Sequence, residues 1–211
     1  MSALPRATAQ LSARQILRQT IRQARRSLSQ TQQQDFSAQA SLQVISLIKQ
    51  QQAKRVALYL SNDGELDTQP LIEALWQLDI EVYLPRLHPF SPGNLIFLRY
   101  QPHTQLQTNT LKIKEPKLDI RQMVLAHELD IVVTPLVAFD AQGNRMGMGG
   151  GYYDRTLANW QTIGKPYPLG FAHDCQQVQQ LPVEHWDVPL PLIVTPTQII
   201  KNGHKAINNL L

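Results

Sequence analysis

The run Val56-Ala57-Leu58-Tyr59-Leu60-Ser61 is apolar at consecutive positions, not at alternate ones, so a strand built from it has no wet face. Residues 129–134, Leu129-Asp130-Ile131-Val132-Val133-Thr134, make a second run of this kind. Strands buried on both sides occur where helices cover both faces of a mostly parallel sheet. The intervening segments supply the helices. Residues 11–28 carry Leu17, Ile21, Ala24 and Leu28 at helical spacing. Ser29 caps a second helix running to about residue 52, with Ala40, Val44, Ile45 and Ile48 facing the core and the glutamines in water. A helix over 68–78, strands over 80–84 and 94–100, a helix from Tyr152, and strands over 166–172 and 190–195 complete the pattern. The expected fold class is α/β: a single domain over 1–211 with a mostly parallel central sheet flanked by helices. Its core spans about 11–196, and its tail, 197–211, is loosely held. The ligand crevice of such a sheet lies at the carboxyl ends of its strands.

The sharpest local motif follows the second buried run: Asn144-Arg145-Met146-Gly147-Met148-Gly149-Gly150-Gly151-Tyr152-Tyr153-Asp154-Arg155. Glycines tolerate positive φ and present bare N–H groups, so the loop can cradle an anion, with phosphate as the natural guest. It is not a Walker A loop, because no Gly-Lys-Ser/Thr follows. Nor is it the dinucleotide fingerprint, because Tyr152 stands where the third glycine belongs. Arg145 and Arg155 flank the loop with phosphate-binding chemistry, Asp154 offers a hard oxygen for magnesium, and Tyr152 or Tyr153 can stack on a flat heterocycle. The plainer reading, glycines that only permit a tight turn, stays open on the residues alone.

The second motif, Leu60-Ser61-Asn62-Asp63-Gly64-Glu65-Leu66-Asp67-Thr68, opens the helix after the first buried run. Glu65 can accept ring N–H groups of a pterin or purine in bidentate fashion, while Asp67 or Thr68 caps the helix. On the first helix Arg14, Arg18, Arg22 and Arg25 recur at i, i+4, i+8 and i+11, a stripe that by itself reads as a solvated face. His173-Asp174-Cys175 and His185-Trp186-Asp187 lack His or Cys partners at zinc spacing, which excludes a zinc enzyme.

Apolar residues are 43% of the 211 and charged residues 17%, which excludes disordered and fibrous classes. No run approaches the roughly 18 apolar residues of a membrane helix. The one cysteine, Cys175, cannot form an internal disulfide, which fits a reducing, cytoplasmic setting and an inert thiol. The net charge of +4 suits a protein that handles anions.

Taken together, the motifs are similar to those of the 5-formyltetrahydrofolate cyclo-ligase family, in particular its bacterial branch, over residues 14–195. The resemblance rests on the stretch from Arg145 to Asp154, the Leu-Ser-x-x-x-Glu-x-x-Thr pattern from Leu60 to Thr68, Glu115-Pro116, Pro135 with Phe139-Asp140, and Asp187-Val188-Pro189. It implies a compact domain related to the sugar-phosphate isomerases and coenzyme A transferases. It also implies ATP-dependent, Mg²⁺-requiring closure of 5-formyltetrahydrofolate to 5,10-methenyltetrahydrofolate. Apart from the resemblance, a monomer is expected, with no nucleic-acid or membrane partner. Carried over by position, Arg14 and Arg18 reach ATP, as do Arg145, Gly147, Met148, Gly149, Gly150, Gly151, Tyr152 and Tyr153. Leu60, Glu65 and the segment from Met148 to Tyr152 hold the folate, and Asp154 and Asp187 take the metal. Arg145, Tyr153 and Asp154 are the catalytic set, and Arg22 and Arg25 remain solvated. Some members carry Lys where this chain has Gly150. The competing readings are a sugar-phosphate enzyme that uses no ATP and a nucleic-acid module built on the arginine stripe.

Overall fold

A computed structural model describes residues 11–202. Helices α1 (Ala13–Arg26) and α2 (Gln30–Gln50) come first, and each starts on a serine capping box. The Ser12 hydroxyl accepts from the Gln15 amide while the Gln15 side chain accepts from the Ser12 amide, and Ser29 with Gln32 repeats the exchange. Helix α2 buries Ala40, Val44, Leu47 and Ile48 and packs Ile45 against the same core, leaving most of its glutamines exposed, as their spacing predicts.

The chain continues through β1 (Arg55–Ala57), α3 (Gln69–Gln77), β2 (Glu81–Leu87), β3 (Leu95–Arg99), β4 (Leu106–Thr108), β5 (Lys114–Pro116), β6 (Met123–Val124) and β7 (Ile131–Thr134). It then forms β8 (Ala138–Phe139), β9 (Arg145–Met146), α4 (Tyr152–Leu157), α5 (Trp160–Ile163), β10 (Tyr167–Phe171), β11 (Leu192–Val194) and β12 (Ile199–Lys201). One eight-stranded sheet runs β12-β11-β10-β7-β1-β2-β3-β6. Its five central strands, β11 to β2, are parallel, and β12 and β3 close the two sides antiparallel. Val56, Ala57, Leu58 and Tyr59 are all buried, so both faces of β1 are covered as its composition requires. The α/β class with a mostly parallel sheet is therefore the observed one.

The sheet order places the crevice. From β1 the chain crosses by α3 to β2 on one side, and β7 later pairs with β1 on the other. That reversal separates the loops leaving β1 and β7 and opens a cleft at their carboxyl ends.

Several elements differ from the sequence-based expectation. The β1 ladder ends at Ala57, although the Leu58 amide still donates to the Tyr83 carbonyl at 2.9 Å; beyond it the chain leaves the sheet to line the cleft. The hairpins β4–β5 and β8–β9 have two or three residues per strand, too few to show a period. The tail is not loose throughout, because Ile199–Lys201 pairs with β11 as an edge strand. The rest of the predicted tail, 203–211, lies outside the described residues.

Two glycines separate backbone freedom from packing. Gly143 (φ +77°) and Gly164 (φ +82°) are both left-handed, but a Cβ at Gly143 would stand 2.3 Å from the Leu190 carbonyl oxygen, whereas at Gly164 it would meet nothing within 4 Å. Gly143→Ala is expected to cost more than about 2 kcal/mol and Gly164→Ala about 1 kcal/mol in urea unfolding. Equal costs would show that the contact with Leu190 is not rigid.

Candidate active site

A cavity of about 590 Å³ occupies the cleft. Leu84, Leu87, Leu95, Leu111 and Ile113 give it apolar walls, Glu65 and Arg25 lie at one polar corner, and the glycine loop closes another side. The apolar walls and polar corner suit a flat heterocycle with a hydrogen-bonding edge.

The glycine loop follows β9 directly, so the hairpin β8–β9 fixes Arg145 at its root. Asp140, fully buried in the hairpin turn, accepts from the amides of Gln142, Asn144 and Leu181 and from the Asn144 side chain. Arg145 is buried; its Nη2 donates to Asp154 Oδ1 at 2.6 Å, and its Nε finds no partner among the described residues. Asp154 Oδ1 also accepts from the Val188 amide at 3.1 Å, while Oδ2 accepts no hydrogen bond among the described residues.

Two further arginines hold the loop by its carbonyls. Arg18 Nε donates to Gly147 O at 2.8 Å, and Arg155 donates to Gly150 O at 2.5 Å and to Gly93 O at 2.6 Å while lying over the Tyr152 ring. Among the described residues, no amide of Met148, Gly149, Gly150 or Gly151 donates to a protein acceptor. Carbonyls drawn away by cations and amides left unused make an anion cradle, which the tight-turn reading does not require. Gly149 (φ +102°) and Gly151 (φ +65°) provide the left-handed turns that a side chain would resist.

Beyond the loop a second, more open cavity of about 640 Å³ is lined by Trp160, His185, Trp186 and Asp187. Gly150, Gly151 and Asp154 line both cavities, so the loop is a partition between them.

The arginine stripe of α1 is not a solvated face. Arg14 forks onto Asp187 at 2.7 and 3.3 Å and reaches Pro182 O at 2.9 Å. Burial pushes the Asp187 carboxyl up, but the hydrogen bonds from Arg14 and the Glu184 amide outweigh it and leave the carboxyl below its ordinary range. The expectation that Arg22 and Arg25 are solvated is corrected. Arg22 Nε bonds Asp63 Oδ2 at 2.6 Å, and Arg25, with no exposed surface, places Nε and Nη2 on Asp63 O at 3.0 and 2.8 Å. Arg26 joins the same carboxylate. Asp63 sits at φ +55° in the loop after β1, and its encounter with α1 is a tertiary contact that helical spacing does not reveal. Each arginine of the stripe is thus held by a carboxylate or a backbone carbonyl.

At the polar corner, Glu65 Oε2 accepts from the Asn62 amide at 3.0 Å, and Arg25 Nη1 lies 4.0 Å from Oε1. Burial raises the Glu65 carboxyl from 4.5 to about 7, against the pull of Arg25. Burial also raises the Tyr153 hydroxyl far above its ordinary value, so that group stays protonated as a hydrogen-bond donor. Leu60 and Met148 line the same cavity. Asp67 caps α3 by accepting from the Gln69 amide at 3.1 Å, whereas the Thr68 hydroxyl turns inward to Tyr59 O at 2.5 Å.

The cavity wall from β4–β5 was not read from the sequence as site structure. Glu115 is buried there, accepting from the Leu87 amide at 3.1 Å and from Asn109 at 3.0 Å beside Arg86 at 2.7 Å. Glu115-Pro116 was its only visible signal. Among the described residues no three His, Cys, Asp or Glu gather as a metal site. Burial raises the Cys175 thiol and lowers His173 to about 4, which leaves both neutral and agrees with an inert cysteine.

The chain is similar to known proteins in both sequence and fold. A sequence model of the 5-formyltetrahydrofolate cyclo-ligase family matches residues 10–196. The chain is 56% identical to the 5-formyltetrahydrofolate cyclo-ligase of Escherichia coli K12 over 179 residues, covering 85% of this chain and 98% of that one. The Haemophilus influenzae enzyme of the same name is 52% identical over 178 residues, covering 84% and 94%. The solution structure of Aquifex aeolicus 5,10-methenyltetrahydrofolate synthetase superposes with a TM-score of 0.76 at 28% identity, covering 91% of this chain and 94% of that one.

Glu65 is expected to make folding stability depend on pH. Its folded pKa, about 7, lies above the ordinary 4.5, so the folded state binds this proton more tightly. That stabilisation is full below about pH 4.5 and is lost as pH rises through 7. Between pH 5 and 8 the protein is expected to lose on the order of 2 kcal/mol that Glu65→Gln retains. Parallel stability profiles for the two proteins in denaturant titrations would refute the buried carboxyl.

Proposed function

The chain belongs to the 5-formyltetrahydrofolate cyclo-ligase family, and we propose that it uses ATP and Mg²⁺ to convert 5-formyltetrahydrofolate into 5,10-methenyltetrahydrofolate, ADP and phosphate. The observation that carries this reading is the glycine loop as a partition. A folate ring in the enclosed cavity and a nucleotide in the open one meet across the amides of residues 148–151. There the γ-phosphate faces the formyl group.

An amide oxygen is a poor leaving group, and ATP supplies the remedy. The formyl oxygen attacks the γ-phosphorus, ADP leaves, and the N5 carbon becomes an iminium bearing a phosphate ester. N10 attacks that carbon and gives up its proton. The C–O bond then breaks, phosphate departs with the original formyl oxygen, and the methenyl bridge remains. Both attacking groups belong to the substrate, so no protein nucleophile is required.

The protein positions the reactants and spreads charge. Glu65 receives the N–H edge of the pterin ring, with Leu60 and Met148 against its faces. Arg14 and Arg18, anchored on Asp187 and Gly147 O, bring α1 to the phosphates. The unused Arg145 Nε and the loop amides meet the transferring phosphoryl oxygens, and Tyr152 and Tyr153 complete the wall. The free Oδ2 of Asp154 fits a hard cation, whereas both oxygens of Asp187 already hold Arg14. Mg²⁺ takes one or two carboxylates with substrate phosphates and water, so the absence of a larger acidic cluster does not conflict with the site; when bound, it neutralises phosphate charge.

Purified protein with 5-formyltetrahydrofolate, ATP and Mg²⁺ is expected to develop the near-ultraviolet absorbance of the methenyl product, and to develop none when ATP is left out. A folded protein that binds both ligands without this absorbance would overturn the reaction.

Two substitutions test the assignment within the site. Asp154→Asn keeps the shape of the Arg145 contact but removes the counter-charge of a buried guanidinium, so Tm is expected to fall. At temperatures where the variant is still folded, kcat/KM is expected to drop by about 100-fold or more. Cys175→Ala is expected to leave turnover within about twofold of the parent. Loss of turnover in the cysteine variant would require a nucleophile that the scheme lacks.

A further inference from the structure

Among the described residues Arg25 is the largest side chain with no exposed surface, and it stands at the polar corner of the folate-sized cavity. A guanidinium removed from water is costly unless its donors and charge are met. Asp63 meets most of it: its carbonyl takes Nε at 3.0 Å and Nη2 at 2.8 Å, and its Oδ2 takes Nη2 at 3.0 Å. Nη1 is buried and has no hydrogen-bond partner among the described residues. Its nearest anion is Glu65 Oε1 at 4.0 Å, too far for a hydrogen bond and near enough for a strong Coulombic effect in a buried corner.

The chemistry at Glu65 explains why a charge belongs there. Only a carboxylate accepts two parallel N–H groups at once, because a neutral acid presents a hydrogen where one of them must donate. Burial works against the carboxylate, and a neighbouring cation works for it. The geometry points to Arg25 as a positioning residue that acts through Glu65: Asp63 holds its guanidinium in place, and Nη1 stabilises the carboxylate that receives the ring. The inference rests on the reading of Glu65 as the pterin-binding residue.

The other groups that face Glu65 have defined signs. Arg22, on the same face of α1, adds to Arg25, and Asp63 opposes both. The Asn62 amide favours the carboxylate through its hydrogen bond. Tyr59, just past β1, and Tyr153, from α4, are buried, neutral hydroxyls. Removing Arg25 and removing the charge of Asp63 must therefore move Glu65 in opposite directions. A purely structural clasp predicts the same direction for both, because both break it.

The test uses the full chain in four forms: parent, Arg25→Gln, Asp63→Asn, and Glu65→Gln to assign the Glu65 carboxyl in carbon-13 glutamate NMR spectra. Each is titrated without ligand, and KM for 5-formyltetrahydrofolate at saturating ATP is measured from pH 5.5 to 9. In Arg25→Gln the Glu65 midpoint and the rise of KM at low pH are expected to move up by about one pH unit. In Asp63→Asn both are expected to move down by about half a unit, with kcat less affected than KM. If Arg25→Gln does not fold, the downward movement in Asp63→Asn still decides, since a broken clasp alone gives no such sign. Midpoints that move together, or not at all, overturn the role of Arg25. Midpoints that move oppositely while KM ignores them uphold the electrostatic pair and overturn Glu65 as the group that receives the ring.

Discussion

Helix α1 is held to the sheet by charge as much as by apolar contact, and the site depends on that attachment. Its buried apolar residue among the described ones is Ile21, assisted by the half-buried Leu17, against a small cluster that includes Val137, Ala138 and Met146. Its arginines do the rest. Arg14 holds the Asp187 loop, Arg18 the glycine loop, and Arg22, Arg25 and Arg26 the loop after β1. An exposed pair such as Arg26 with Asp63 contributes about 0–1 kcal/mol, and a buried guanidinium such as that of Arg25 must first offset its desolvation, so the value of the set lies in geometry. One rigid helix gathers three loops that leave the sheet at different points.

That attachment sorts the polar atoms of the glycine loop. Backbone carbonyls and amides both need partners, and a loop without regular structure rarely satisfies both internally. Here arginines take the carbonyls of Gly147 and Gly150, while the amides between Met148 and Gly151 have no protein acceptor among the described residues. The local preference for an anion follows from this division, not from the glycines alone. Arg145 strengthens it from within: buried and paired with Asp154, it presents a donor that a phosphoryl oxygen can satisfy.

The central sheet was legible because its strands are buried on both faces and announce themselves by unbroken apolar runs. The capping boxes at Ser12 and Ser29 follow a local rule, and the Ser29 start of α2 could be read as such. The two main motifs were legible as chemistry, and the sheet brings Glu65, Arg145 and Asp154 around one cavity. What escaped was tertiary. Arg25 reads as one cation in a stripe until Asp63, 38 residues later, turns back onto it. Glu115 stands in the sequence only as half of the Glu115-Pro116 match, and its burial appears once β4–β5 sets it against the Leu87 amide. In both cases a buried charge is explained by a partner distant in sequence, which neither periodicity nor composition encodes.

Gly150 shows how the same arrangement accommodates the absence of a basic side chain in the loop. A Cβ there would lie 2.7 Å from the Tyr152 ring, so this loop packs its backbone onto an aromatic face and leaves no room for a substituent without moving the ring. Positive charge must then come from outside the loop. Arg18 arrives from α1, Arg145 from β9 and Arg155 from α4, and each is fixed by a carbonyl or carboxylate at 2.5–2.8 Å. A lysine on the loop itself would bring a mobile charge on a long side chain, whereas these guanidinium groups are oriented before any anion binds. Less side-chain freedom remains to be lost on binding, which is the advantage expected of a site that works by positioning.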